Sequence, residues 1–386
     1  MSLLLHTSDK PSDLRKIYEM AFNEAAEIYV VSAYLTDWDG AIKPLTRGVR
    51  FRFIIGKDFG ITRKDACRNV MRWLPAARKA EFLVADAITG FHPKAVIWKT
   101  VDEKSFILIG SSNLSKAAFE RNVEANVFAP ISQQEFEEAK EWVEWIADRS
   151  VPVSEDWLDQ YVEARPNPVR GHKVAASSSA EKSSPIVVFD LPLPERASER
   201  LSARREQLAA YERHREDLMR LFRKVANGRI DSARFFEELP RHWGFENGNR
   251  LQGLGWERTG KGADFQELAQ SLLTIVDASA GERDDVVREE IDRLHDSGNP
   301  ARRAFLSEML CLRFPREYPV LNGPVREFLV RNRFGAPHKS SEGAKYVDLA
   351  KKLRAALRAD PAFPAKNLAE LDVLIWASSE YNPRAE

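Results

Sequence analysis

The stretch that decides the fold runs Gly90-Phe91-His92-Pro93-Lys94-Ala95-Val96-Ile97-Trp98-Lys99-Thr100, then Phe106-Ile107-Leu108-Ile109-Gly110-Ser111-Ser112-Asn113-Leu114-Ser115, then Asn122-Val123-Glu124-Ala125-Asn126-Val127. Three short β-prone runs follow one another, and each has polar residues at one end. His92 and Lys94 are two apart at the mouth of a strand, so their side chains project to the same side. An imidazole and an ammonium on one face suit an anion. Gly110 lets the backbone come close where Ser111, Ser112 and Asn113 offer hydrogen-bond donors to phosphate oxygens. Asn122, Glu124 and Asn126 share a face of the next strand, where the carboxylate could take the Nδ1 proton of His92 and leave Nε2 free to attack or to donate a proton. Ser115 fits the N-cap of a helix over 116–122 better than it fits a ligand.

Outward from this stretch, helix and strand patterns alternate. The spacing predicts helices over 11–26 and 62–79 and strands over 27–34, 49–56, 81–85, 95–100, 106–110 and 123–129. Helix over 133–164, interrupted near Pro152, closes the region. This is an α/β layered domain. The clearest break in composition follows: residues 165–187, rich in Pro, Ser and Ala, read as a linker between a domain at 1–164 and a second at 188–386. A short strand over 186–189 opens the second domain, and helical periods fill the rest. Among them are an Arg/Glu-rich surface helix over 197–226 and helices over 265–278, 284–295, 301–312, 325–332, 345–359 and 368–377. The Gly-, Trp- and Arg-rich stretch 241–261, with Trp243, Trp256 and Arg258, reads first as a loop packing tryptophans into a helical core. Its alternative reading is a stacking surface for nucleic acid.

Composition narrows the partners. The chain has 386 residues with Lys plus Arg and Asp plus Glu both at 58, so a general polyanion-binding surface is not written into it. Nucleic-acid contacts must come from local patches. The start lacks the pattern of a secretory signal and no apolar run reaches membrane-helix length, so the expectation is a cytoplasmic protein with no membrane partner. Cys67 and Cys311 stand in no metal-binding spacing and read as reduced core thiols, with no metal or cofactor expected.

The order HxK, Gly-Ser-x-Asn, Asn-x-Glu resembles the HKD motif of the phospholipase D superfamily, above all its nuclease and metal-independent restriction-endonuclease branch, over roughly residues 1–150. The resemblance implies a phospholipase D-like α/β/α sandwich with an all-α domain behind it. It also implies a metal-independent phosphodiesterase that passes through a phosphohistidine, with His92 as nucleophile or general acid, Lys94 and Asn113 as phosphate clamps and Glu124 as orienter of the imidazole. Gly110, Ser111 and Ser112 line the substrate turn. Lys99 stands where the HKD pattern carries its aspartate. No other histidine begins an HxK, and the reaction uses two, so the expected assembly is a homodimer through the N-terminal domain.

The stretch from Phe314 to Val325, with Tyr346 and 371–376, is loosely similar to a helical module of prokaryotic restriction and defence proteins. The leading reading is therefore a DNA nuclease of such a system, open to a partner protein from it. The alternatives are a phospholipase D-type lipid hydrolase and a non-catalytic DNA- or partner-binding component.

Overall fold

The computed structural model describes residues 1–38, 40, 42, 48–164, 189–251, 253, 260 and 262–379. Two compact units emerge: Met1–Val187 together with Gly335–Ser340, and Val188–Phe334 together with Ser341–Glu386. The expected linker at 165–187, most of the strand at 186–189, and Trp256 and Arg258 lie outside the described residues.

The first unit is built on one eight-stranded sheet: β1 (Ser2–His6), β2 (Ala25–Ser32), β3 (Arg50–Ile55), β4 (Phe82–Val84), β5 (Lys94–Thr100), β6 (Ser105–Gly110), β7 (Glu124–Ile131) and β8 (Val151–Pro152). Their order across the sheet is β1-β7-β6-β5-β2-β3-β4-β8. The strands β2, β3 and β4 are parallel, and every other pairing is antiparallel. Parallel neighbours need crossovers, and α2 (Lys64–Trp73) provides the one between β3 and β4. The β5–β6 hairpin closes over a short turn, whereas β6 and β7 are joined through residues 111–123.

The sheet is covered on both faces. Helix α1 (Leu14–Glu24) places Leu14, Ile17, Tyr18, Ala21 and Phe22 on one stripe and buries it. Phe22 meets Trp73 of α2 edge to face, at 5.8 Å between ring centroids. The opposite face is covered by α4 (Gln133–Ala147), which opens with a capping box between Ser132 and Glu135. Its Phe136, Val143, Ile146 and Ala147 pack with Tyr29, Val31, Ile54, Leu83, Ala95 and Ile97 of the sheet. This is the three-layer α/β/α arrangement expected.

Local differences from the sequence reading have local causes. The helix expected to run to Lys79 stops at Trp73, because Pro75 pushes Leu74 into extended geometry. The pattern gave no strand at Ser2–His6 or Val151–Pro152. Both are edge strands, one of them only two residues long, and both are held by pairing rather than by alternation.

The second unit is helical, as expected. After the short α5 (Glu155–Gln160) that ends the first unit's elements, the long helix α6 spans Ala197–Ala226, followed by α7 (Ser232–Glu238), α8 (Phe265–Asp277), α9 (Arg283–Asp296), α10 (Ala304–Arg313), α11 (Gly323–Arg331), α12 (Glu342–Ala359) and α13 (Leu368–Ala377). Its core includes Leu201, Val325, Phe328, Leu349, Leu353, Leu371 and Leu374. A buried ion pair, Arg204 to Asp372 at 3.0 Å, crosses that interior. Trp243 is buried against Phe305, at 5.3 Å between centroids, with the Arg250 guanidinium 4.5 Å from its ring. That arrangement favours the core-packing reading of Trp243.

Candidate active site

Strand register gathers the expected residues at one end of the sheet. Ser32 of β2 pairs with Lys94 of β5, Gly110 of β6 pairs with Asn126 of β7, and Glu124 of β7 pairs with His6 of β1. Side chains from chain segments far apart in sequence therefore form a row across five strands. Gly110 is required there: a Cβ added to it would lie 2.3 Å from the Ala125 carbonyl oxygen and 2.4 Å from Asn126 Oδ1. The close approach allows the strand to turn into Ser111-Ser112-Asn113 while the Ser111 N–H donates to the Ala125 carbonyl at 3.0 Å.

His92 is exposed, in the loop leading into β5. The Tyr34 ring meets it edge to face, 5.5 Å between centroids. Lys94 Nζ lies 3.2 Å from His92 Nδ1 and 3.4 Å from Nε2, so the ammonium sits across the imidazole. Burial pushes the Lys94 ammonium down from its ordinary value, and the Glu124 charge opposes that.

Asn113 is oriented by its acceptors. Its Oδ1 takes the Ser32 hydroxyl at 3.2 Å and the Tyr34 backbone N–H at 3.3 Å, which leaves the Nδ2 donors for an incoming oxygen. Ser112 faces inward: its N–H donates to Asn126 Oδ1 at 3.2 Å, and Asn126 Nδ2 donates to its hydroxyl at 2.8 Å. Ser112 thus braces the turn, while the exposed Ser111 remains at its surface. Ser115 caps the helix α3 (Lys116–Glu120), as expected, by accepting from the Ala118 N–H.

Glu124 is 7% exposed. Its Oε2 accepts from the Ser111 hydroxyl, and its Oε1 accepts from Asn122 Nδ2 at 3.0 Å. The expected bond from His92 Nδ1 to this carboxylate is not formed in this conformation. Ser111 and Lys94 occupy the two groups instead. Lys99, at the far end of β5, pairs with Glu103 at 3.1 Å and lies 4.0 Å from Glu27, away from His92.

The sequence reading missed the supports of this row. Ser32 and Tyr34 lie at the end of β2, Asn126 was read only as a strand neighbour of Glu124, and Tyr18 comes from α1. Burial pushes the Tyr18 phenol up, and the Glu124 charge adds to it. Asp58 was missed as well: its Oδ2 accepts from the Gly90 N–H at 2.9 Å and the Phe91 N–H at 3.2 Å, tying a neighbouring loop to the one that carries His92. An acidic residue beside a Gly-rich loop was the only available signal, and it is a weak one.

Two solved structures resemble part of the chain. NucT from Helicobacter pylori is 16% identical, with 39% of this chain and 98% of that chain covered at a TM-score of 0.32. Nuc from Salmonella typhimurium, a phospholipase D family member, is 20% identical, with 39% and 97% covered at a TM-score of 0.31. No curated protein matches the sequence. Residues 21–147 match the family model described as cardiolipin synthase, PLD-like domain. These residues hold most of the sheet and the row from Ser32 to Glu124, so it is this part of the chain, about a third of its length, that is similar to the PLD-like domain family.

Proposed function

We propose that the chain is a metal-independent phosphodiesterase acting on DNA through a phosphohistidine at a site shared by two copies of the chain. The observation that carries this reading is the convergence of His92, Lys94, Ser111, Asn113 and Glu124 on one row of the sheet. In the reaction, a His92 ring nitrogen attacks phosphorus as the bond to the leaving oxygen breaks. A second imidazolium gives that oxygen its proton, and water then cleaves the P–N bond. Lys94 Nζ and Asn113 Nδ2 hold the phosphoryl oxygens, whose charge grows in the transition state. The second proton donor is the His92 of another copy, because the other histidine of the row, His6, is buried.

Phe59 supports a nucleic acid. It is 78% exposed, held at φ 60°, and follows Asp58, whose carboxylate ties this loop to the His92 loop. An aromatic ring placed beside a phosphodiester site suits stacking on a base. The loose likeness of the 314–325 stretch to restriction-protein modules supports a defence setting. A phospholipid is the second reading, favoured by the family description, which names cardiolipin synthase.

The test is incubation of the full chain with plasmid, single-stranded DNA, RNA and phospholipid vesicles in EDTA, with His92→Ala alongside. DNA cleavage that survives EDTA and disappears in His92→Ala is expected. Cleavage that needs magnesium and persists in the variant refutes the mechanism. Head-group release from vesicles without DNA cleavage selects the lipid reading, and DNA binding without cleavage leaves a non-catalytic component.

A further inference from the structure

His6 is the other imidazole of the row, and the reaction as written gives it no part. It ends β1 opposite Glu124 in the β1–β7 ladder. Residues directly opposite in such a ladder project to the same face, with Cβ atoms about 5 Å apart. Both side chains are buried, His6 to 2% exposure.

The hydrogen bonds of His6 assign its tautomer. Its Nδ1 accepts the Ser12 backbone N–H at 3.0 Å and lies 3.2 Å from the Ser12 hydroxyl. A ring nitrogen that accepts an amide N–H carries no proton, so the ring proton is on Nε2. That Nε2 is buried with no hydrogen-bond partner. Buried donors are nearly always satisfied, and one left over beside a reactive row calls for a use.

Glu124 has room for it. Each of its oxygens takes one donor, Asn122 Nδ2 on Oε1 and the Ser111 hydroxyl on Oε2, whereas a carboxylate offers about four lone-pair sites. Turning toward His92 would carry Oε2 away from the Ser111 hydroxyl, and a buried carboxylate that loses a donor needs another.

We infer that His6 is a positioning residue of this site. Its Nε2–H donates to the Glu124 carboxylate when that carboxylate turns from Ser111 toward His92, and so keeps it aimed. The inference rests on the phosphodiesterase reading. The bland alternative is that His6 serves only through Nδ1, as a clamp on the Ser12 turn.

Two substitutions separate the roles. His6→Gln places an amide N–H near the position of Nε2 but gives up the acceptor for Ser12. His6→Asn keeps an acceptor near Nδ1 and gives up the outer donor. If His6 positions Glu124, His6→Asn lowers kcat by about tenfold to a hundredfold, the worth of one hydrogen bond to a charged group, with KM little changed. His6→Gln then stays within a few-fold of wild type. Wild-type kcat in His6→Asn, or the reverse ranking, overturns the inference.

A measurement that needs no turnover accompanies these. In the full chain labelled with 15N-histidine, long-range proton–nitrogen spectra should find one ring protonated on Nε2 whose signal vanishes in His6→Gln. With inorganic phosphate added, to draw the carboxylate toward His92, that signal should move, and the move should be absent in Glu124→Gln. An unmoved His6 signal overturns the pairing even where both His6 variants fold poorly. Absence of His92-dependent hydrolysis in wild type refutes the phosphodiesterase reading instead, and the spectrum then decides the pairing by itself.

Discussion

Replacing Asn126 with alanine tests whether the Ser111–Asn113 turn is braced from below. Asn126 is 3% exposed and makes two hydrogen bonds to Ser112, from Nδ2 to the hydroxyl at 2.8 Å and from the backbone N–H to Oδ1 at 3.2 Å. Each is worth about 1 kcal/mol net, and the truncation also leaves a buried N–H and hydroxyl on Ser112 unpaired. The expected loss is about 2–4 kcal/mol. With a urea slope of about 2 kcal/mol per molar, the unfolding midpoint of the first unit drops by roughly 1–2 M. A cycle with Ser112→Ala refines this. That change removes the hydroxyl partner but keeps the N–H bond, so Asn126→Ala should cost about 1 kcal/mol less in its background. Turnover should fall in Asn126→Ala by more than the loss of folded protein explains, since a shift of about 1 Å in a positioning group can cost a hundredfold. A loss under about 0.5 kcal/mol, or strict additivity in the cycle, would refute the brace.

Three further outcomes are expected. Phe59→Gly relieves a left-handed conformation that costs a non-glycine residue about 1 kcal/mol, so urea unfolding should move to higher concentration while KM for single-stranded DNA rises; a lower midpoint would contradict the strain argument. Burial pushes the Asp284 carboxyl up, but Arg354 and Lys351, with bonds from Arg354 and Tyr318, outweigh it and hold the group well below the usual carboxylate range. The folded-state pKa is thus depressed, so the stability it contributes is full above about pH 4 and is lost as pH falls through the folded value; Asp284→Asn should cost about 3–5 kcal/mol at neutral pH and flatten the acid limb of a denaturation profile. Mixing equal amounts of wild type and His92→Ala, with free exchange of copies, should leave about a quarter of the activity of an all-wild-type sample of the same total concentration, since under the proposed shared site only wild-type pairs would be complete; a drop to about half would mean that each chain works alone.

What was legible in the sequence depends on where each residue gets its information. His92, Lys94, Asn113 and Glu124 stand in short fixed spacings at strand ends, and local periodicity places strand ends well. The helix Ala197–Ala226 was read to its end residues because a thirty-residue amphipathic stripe is a long signal. Ser32, Tyr34, Asp58 and His6 were not legible as site residues: each reaches the site only through pairing with a segment far along the chain, and no local pattern encodes a register. The pairing of Glu124 with Ser111 rather than His92 is likewise a property of the assembled turn, not of the spacing between the motifs.

The row across five strands also bears on how the molecule comes together. Strand β1 forms one edge of the sheet, and its partners on β7 lie more than a hundred residues along the chain. Closing so long a loop is entropically late, whereas the β5–β6 and β6–β7 pairings need only neighbouring chain. A slip of two residues, the smallest that keeps the buried side chains buried, would carry His6 about 7 Å along the edge and away from Glu124. Activity is then a reporter of the last strand to zip. On dilution from denaturant, its recovery is expected to trail the recovery of the far-ultraviolet dichroism, by the time the chain takes to find that one edge alignment.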